Sequence, residues 1–432
     1  MIWASLWIGL YRLLTRIFGL VARPFLLWRC SRVKENRSRL GERLGFASRK
    51  RPEGHLAWLH GASVGESLSL LPLIERLQAA GIQVLLTTGT VTSANLVAKR
   101  LPAGAVHQFL PLDVPRFVKR FLDHWRPDIV IFAESELWPN FISAVHRREV
   151  PLILVNARLS PRSFARWQKV PALIARLLSG IDMVLAQTAD DAARLMQLGA
   201  ARVLVTGNLK FDSPAPPVHA EDLAYLTGLI GTRPIWVAAS THPGEDEIVL
   251  AVHQQLSLRF ANLLTVIVPR HPQRGADILK LAEDHKLRGA LRSTGGQPMR
   301  DIQIYVADTM GELGLFYRLA GLIFMGGSLV PRGGQNPIEP AKLGSAILHG
   351  PYVHNFTEVY HILGESRGAV QVEDAAELVT VLTALFADVG KFRTMARAAF
   401  DAVEQRAGAT RNVMRAIEPY IVQMRFDRNR MD

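Results

Sequence analysis

The chain has 432 residues, 49% of them hydrophobic, more than one core usually accommodates, so two domains are expected. Lysine and arginine number 51 against 38 acidic residues, a net charge of +13, which selects a polyanionic partner: nucleic acid, an anionic membrane or a phosphorylated substrate. The single cysteine, Cys30, excludes an intramolecular disulfide, and no Cys/His spacing suggests a zinc framework.

The chain opens with "MIWASLWIGLYRLLTRIFGLVARPFLLWR", an apolar run interrupted by Arg12, Arg16 and Arg23. At about 100° per residue the three arginines fall within roughly 40° of one another, a basic stripe on an otherwise apolar helix. That pattern predicts a helix lying in a membrane interface, with Trp3, Trp7 and Trp28 at headgroup depth. A secretory signal would carry its charges ahead of the apolar region. A tilted spanning helix and an ordinary domain helix with a basic face remain the alternatives. The cluster that follows, Arg29, Arg32, Lys34, Arg37, Arg39 and Arg43, is expected at anionic cytoplasmic headgroups. The basic charge is thereby assigned to a membrane surface and not to nucleic acid.

From about residue 55 short apolar runs alternate with segments of helical period. Strands are predicted at "LAWLHG", "IQVLLTTG", "DIVIFAE", "PLILVNA", "MVLAQT" and "RVLVTG", with helices over 65–80, 138–148 and 161–179. "NLKFDSPAPPVHAED" then reads as a linker. A second series follows, "IWVAAS", "LLTVIVP", "IQIYVAD", "GLIFMG", "SAILHG" and "GAVQV", with a helical tail after 373. The rhythm is that of parallel sheets covered by helices on both faces. The expected domains are a membrane-anchoring helix over 1–38, a Rossmann-like domain over 39–212, and a second over 213–432 that includes the tail. Ligands of such doubly wound folds bind beyond the carboxyl ends of the strands, in a cleft. Neither half carries GxGxxG or a Walker loop.

Strand-end loops carry the unusual residues. "HGASVGE" (60–66) turns from strand to helix, and Ser63-x-x-Glu66 has the spacing of a capping box, which by itself explains both residues. Alternatively the Glu66 carboxylate faces a ligand, with Gly61 and Gly65 leaving it room. "FAESELWPN" places Glu134 and Glu136 at another strand end, as ligand contacts or as caps of the following helix; "VNARLSPRS" adds Arg158 and Arg162. In the second half five successive strand ends bear glycines, hydroxyls, His or Arg, which suggests one site. Gly326, Gly327 and Ser328 would let backbone N–H groups approach a phosphate beside Arg270 and Arg332, or would simply make tight turns. Asn336-Pro337-Ile338-Glu339 reads either as a helix start or as a carboxylate for a ribose diol.

Together "HGASVGE", "ESELWPN", "NARLS", "TGNLKFD", "AASTHPGEDE", "PRHPQR", "MGEL", "MGGSL", "GGQNPIEPA" and "GPYVHNF", spread over 55–356, resemble the motif series of the 3-deoxy-D-manno-octulosonic acid (Kdo) transferases. Pro243 and Gln273 depart from it where a glutamate is expected. The resemblance implies a two-domain GT-B glycosyltransferase that moves Kdo from CMP-Kdo to the phosphorylated lipid A precursor, lipid IVA, with inversion, at the cytoplasmic face of the Gram-negative inner membrane. It implies Glu66 as general base in the acceptor domain, where Ser63, Gly65, Glu134, Glu136 and Arg158 of the strand-end loops are the acceptor-side candidates. It assigns Arg270, His271, Gly311, Glu312, Gly326, Gly327, Ser328, Asn336 and Glu339 to the nucleotide. No acidic DxD-like cluster is evident, so transfer without a metal or other cofactor is expected. A UDP-sugar enzyme of the same fold and a non-enzymatic membrane-surface adaptor are the rival readings.

Overall fold

The computed structural model describes residues 2–32 and 34–428, and the side chain of Trp3 lies outside the described residues. The chain divides into two compact units, Met1–Ser213 with Ala407–Asp432, and Pro214–Arg406.

In the first unit seven strands, β1 (Leu56–Gly61), β2 (Gln83–Thr88), β3 (Val106–Phe109), β4 (Ile129–Ala133), β5 (Leu152–Ala157), β6 (Met183–Ala186) and β7 (Val203–Val205), form one sheet. Its order is β3-β2-β1-β4-β5-β6-β7, with every pair parallel. The central strands read as unbroken apolar runs because both of their faces are buried. Trp58, Val130 and Phe132 pack on one face with Phe121, Trp125 and Phe141. Ala57, Leu59, Ile129 and Ile131 pack on the other with Leu73, Ile74 and Leu77.

That second face explains where the C-terminal tail goes. The helix Ala409–Arg428 carries Val413, Ile417, Ile421 and Met424 at helical spacing, and this stripe completes the core beneath the first sheet. Asp212 accepts from Gly408 N at 2.6 Å and also from Thr410 N, pinning the start of the helix. The last helix of the tail therefore belongs to the first unit, contrary to expectation, whereas the helices Ala375–Ala387 and Val389–Glu404 before it pack Leu378, Leu382 and Met395 into the core of the second unit as expected.

The second unit is built on β8 (Ile235–Thr241), β9 (Leu264–Pro269), β10 (Gly289–Leu291), β11 (Ile304–Val306), β12 (Leu322–Met325), β13 (Ala346–His349) and β14 (Ala369–Gln371). The order is β10-β11-β9-β8-β12-β13-β14, again all parallel. In each sheet the direction of winding reverses beside the first strand, between β1 and β4 and between β8 and β12. Ligands of such sheets bind outside the carboxyl ends at that reversal.

The N-terminal helix Ile2–Ser31 packs on the first unit, with Ala22 and Leu26 fully buried. Tyr11 donates to Asp113 Oδ2 at 2.9 Å, and Asn140 Nδ2 donates to Thr15 Oγ1 at 3.1 Å. Burial pushes the Asp113 carboxyl up to about 6, against the hydrogen bonds it accepts. Among the described residues no helix is long and apolar enough to cross a membrane. In the basic cluster Arg32, Lys34 and Arg37 are exposed, whereas Arg29, Arg39 and Arg43 are engaged by carboxylates of the chain itself. Glu35 takes both Arg29 and Arg43 at 3.0 Å, Glu42 takes Arg39 at 2.8 Å, and Arg43 is buried.

Candidate functional site

At the end of β1, Ser63 caps the helix Val64–Ser69, its hydroxyl accepting from Glu66 N at 3.2 Å. The same hydroxyl donates to Glu66 Oε1 at 2.7 Å, and Ala62 N donates to Oε2 at 2.8 Å. The capping spacing is thus realised, though the carboxylate reaches Ala62 N rather than the N–H of Ser63. Glu66 stays partly exposed. Burial raises its pKa, the Ser63 and Ala62 bonds oppose, and the charges of Glu134 and Glu136 raise it further. The glycines divide in role. A Cβ on Gly61 would sit 2.9 Å from Ser67 N, so that glycine lets the helix start pack on the strand end rather than admit a ligand. On Gly65 it would meet only Lys210 Cε, at 4.0 Å, so space is open there.

Glu134 and Glu136 lie across the winding reversal, at the end of β4. Glu134 adopts φ 58°, a left-handed conformation that costs a non-glycine residue about 1 kcal/mol or more, and pairs with Lys210 Nζ at 2.7 Å. Glu136 accepts from Trp138 Nε1 and stands 3.5 Å from His60 Nε2. His60 is fully buried; its Nδ1 lies 3.0 Å from the Thr87 carbonyl, which can only accept, so Nδ1 carries a proton. Neither glutamate caps the helix Pro139–His146, because Asp113 accepts from Asn140 N at 3.1 Å and Phe141 N at 3.0 Å. Arg158 follows β5, its carbonyl accepting from Ser135 Oγ at the end of β4. Glu66, Glu134, Glu136, Lys210 and Arg158 therefore share one rim of the first sheet.

In the second unit the glycine-serine turn follows β12 and meets a carboxylate of the chain itself. Glu245 accepts from Gly327 N at 2.6 Å, Ser328 N at 3.0 Å, Leu329 N at 3.0 Å and His242 N at 2.9 Å. Glu245 is fully buried, and burial lifts its pKa against those four bonds. The row of N–H groups expected to face a phosphate is thus occupied, which departs from the reading of 326–328 as an open cradle. A Cβ on Gly326 would lie 2.6 Å from the Ser240 carbonyl, so close packing of β12 against β8 demands glycine.

Positive side chains gather beside this turn. His242 has its pKa lowered first by burial, then by the charges of His271, Arg332, Arg270 and Arg274. The His242 and His271 rings meet edge to face at 6.1 Å, and both Arg270 and His271 are exposed at the end of β9. Arg274 is already paired with Asp246. Asn336 Oδ1 accepts from Ile338 N at 3.1 Å, opening the helix Ile338–Lys342, whose first turn holds Glu339; burial raises the pKa of Tyr317, and the charge of Glu339 adds to it. Gly311, at φ 90°, precedes Glu312, whose carboxylate is engaged by Arg292 at 2.7 and 2.5 Å and by Thr309. That pairing holds Glu312 below the usual carboxylate range.

His242, Glu245 and Lys210 all lie inside motifs read from the sequence, yet none was singled out. A histidine directly after an apolar strand, and a lysine two residues past a glycine-asparagine turn, were the available signals. Among the described residues no group of three or more His, Cys, Asp or Glu is placed to hold a metal ion.

A family model described as 3-deoxy-D-manno-octulosonic-acid transferase matches residues 38–213. The 3-deoxy-D-manno-octulosonic acid transferase of Haemophilus influenzae is 35% identical over 394 residues, covering 89% of this chain and 92% of that protein. The one from Bordetella pertussis is 33% identical over 427 residues, covering 96% and 99%. The protein of Arabidopsis thaliana named "Probable 3-deoxy-D-manno-octulosonic acid transferase, mitochondrial" is 34% identical over 413 residues, covering 91% of each chain. Among solved structures, a glycosyltransferase from Rickettsia africae superposes with a TM-score of 0.58 at 14% identity, over 86% of this chain and 99% of that one. The UDP-GlcNAc 2-epimerase of Neisseria meningitidis gives 0.55 at 14%, over 84% and 100%. These two likenesses concern the fold.

Proposed function

The chain belongs to the 3-deoxy-D-manno-octulosonic acid (Kdo) transferase family and is a glycosyltransferase, and from that premise we propose that it moves Kdo from CMP-Kdo to the phosphorylated lipid A precursor, lipid IVA, with Glu66 as general base. In this reading the acceptor hydroxyl oxygen bonds to the anomeric carbon of Kdo as the bond to the CMP phosphate breaks. The electron pair leaves with CMP, the hydroxyl proton passes to Glu66, and attack opposite the leaving group inverts the centre. The observation that carries the mechanism is the Glu66 carboxylate itself. Two donors fix its direction, and burial with two neighbouring glutamates raises its proton affinity toward that of a working base.

Arg270 and Arg332 supply the positive field for the departing phosphate, with the His242 and His271 rings beside them as hydrogen-bonding groups, a role that falls to these side chains because Glu245 holds the turn's N–H groups. Glu339 and Asn336 would meet the ribose, with Gly311 and Glu312 bordering the nucleotide. Lys210 beside Gly65 and Glu134, together with Arg158, suits a phosphorylated sugar acceptor. The leaving group is a stabilised phosphate, so the proposal calls for no cofactor. The N-terminal helix would lie on the cytoplasmic face of the inner membrane, where its exposed Trp7, Leu14, Ile17 and Trp28 reach the acyl boundary.

Purified full-length protein, CMP-Kdo and tetraacyl lipid A precursor in mixed micelles, read by mass spectrometry, test the assignment. A product heavier by one or more Kdo units is expected, with no product from UDP-sugars. Turnover of a UDP-sugar and not of CMP-Kdo would overturn it.

A further inference from the structure

The N-terminal helix is three-sided. One side, with Tyr11, Ala22 and Leu26, is docked on the first unit; a second, with Trp7, Leu10, Leu14, Ile17, Val21 and Trp28, is exposed and apolar. Arg12, Arg16 and Arg23 run along one border between these sides, and the three do not share the same surroundings. Arg12 lines two adjoining depressions where the helix meets the carboxyl ends of helices Pro139–His146 and Pro171–Leu178. Their volumes are about 320 and 330 Å³, and Arg147 lines both. Arg148 and Lys119 border the first, His146 and Arg176 the second.

Charge is not balanced there. Asp123 pairs with Arg148 at 2.7 Å and with Lys119 at 2.5 Å. Among the described residues, Arg12, Arg147 and Arg176 have no carboxylate within ion-pair distance, unlike Arg29, Arg39 and Arg43 nearby in sequence. Burial and the charges of Arg12 and Arg148 pull the Arg147 pKa down, so these cations crowd one another. Helix carboxyl ends favour the placement of Arg147 and Arg176 through the helix dipole. That does not account for Arg12, in the middle of a third helix, being directed to the same place.

We propose that Arg12 and Arg147, with Arg176, bind the phosphate of an anionic bilayer lipid, whose acyl chains lie along the exposed apolar side of the N-terminal helix. This rests on the reading of that helix as an interfacial anchor. The apolar side supplies adhesion to any bilayer, while the depressions supply preference for an anionic headgroup and fix the rotation of the helix about its axis. Without the headgroup, Arg12 and Arg147 crowd each other with no carboxylate between them, and Arg176 on the same depression reaches only the Ser179 hydroxyl; with it, each gains a charge-assisted bond.

Flotation of the full-length protein with phosphatidylcholine vesicles, and with the same vesicles containing one-fifth phosphatidylglycerol, provides the test. Wild type is expected on both, with a clear preference for the anionic ones. R12Q/R147Q should keep its melting temperature and its binding to phosphatidylcholine, and lose at least about tenfold in affinity for the anionic vesicles. R16Q/R23Q removes the same total charge, all of it from the N-terminal helix and outside the depressions, and should retain most of the preference. Equal losses in the two double variants would mean diffuse attraction and overturn the site. Wild type that floats with neither vesicle would overturn the anchor reading, and the site with it; a preserved preference in R12Q/R147Q overturns the site alone.

Discussion

The two sheets place a glutamate at the same point, in the first turn of the helix that follows the first strand, and put it to opposite uses. "HGASVGE" ends in Gly65-Glu66 after β1, and "ASTHPGE" ends in Gly244-Glu245 after β8. Glu245 occupies the first helical position, is fully buried, and satisfies four backbone N–H groups, three of them from the turn after β12. Glu66 occupies the third, accepts from one N–H and one hydroxyl, stays partly exposed, and faces two further glutamates and Lys210. A carboxylate whose acceptor sites are all taken is part of the scaffold. One that is fixed by two donors and crowded by like charge keeps capacity for a proton.

The sharpest way to break this contrast is to remove the structural carboxylate. Glu245→Ala orphans four donors, two of them in fully buried bonds, and a drop in unfolding free energy of about 3 kcal/mol or more is expected by urea titration. A loss under about 1 kcal/mol would mean that water serves the turn equally well, and the two glutamates would no longer differ in kind.

A smaller effect sharpens the other side. Glu66 acts as a base only when ionised, so transfer should fall as pH drops through its raised pKa. Glu134→Gln removes a neighbouring negative charge and leaves Lys210 beside Gly65 without that partner, so the acid limb of the rate profile should move to lower pH. An acid limb unmoved by Glu134→Gln would detach the profile from Glu66. The raised pKa has the opposite sign in stability. Between the ordinary and raised values the folded chain binds more protons than the unfolded, so the Glu66 contribution to stability declines as pH rises through that window.

How much of this was legible follows from range along the chain. "LAWLHG" and "IWVAAS" announce β1 and β8 because both faces of those strands are buried and every residue but His60 is apolar or small. "VHQF" and "GAL", which became β3 and β10, are short strands at sheet edges and have too few apolar residues to stand out. The tail's amphipathic spacing reveals that one of its sides is buried, and nothing local says beneath which sheet. The Ser63–Glu66 cap is a three-residue relation and can be read directly, whereas the Glu245 nest joins residues 82 to 84 apart and becomes visible only when β12 lies beside β8. The same distance hides Asp113 as the cap of the helix 139–146, the duty sequence reading left open for Glu134 and Glu136.

The central claim, that Glu66 is the base and not merely a cap, is tested most directly by Glu66→Gln assayed for Kdo transfer, CMP affinity and melting temperature together. Glutamine keeps a carbonyl oxygen to accept from Ala62 N, and its amide N–H donates to the Ser63 hydroxyl oxygen in place of the bond the carboxylate accepts, but it takes no proton. The account predicts an almost unchanged melting temperature and CMP affinity with transfer reduced by about 10²-fold or more. Near-normal transfer by a well-folded Glu66→Gln protein would contradict it and move the search for the base to Glu134 and Glu136.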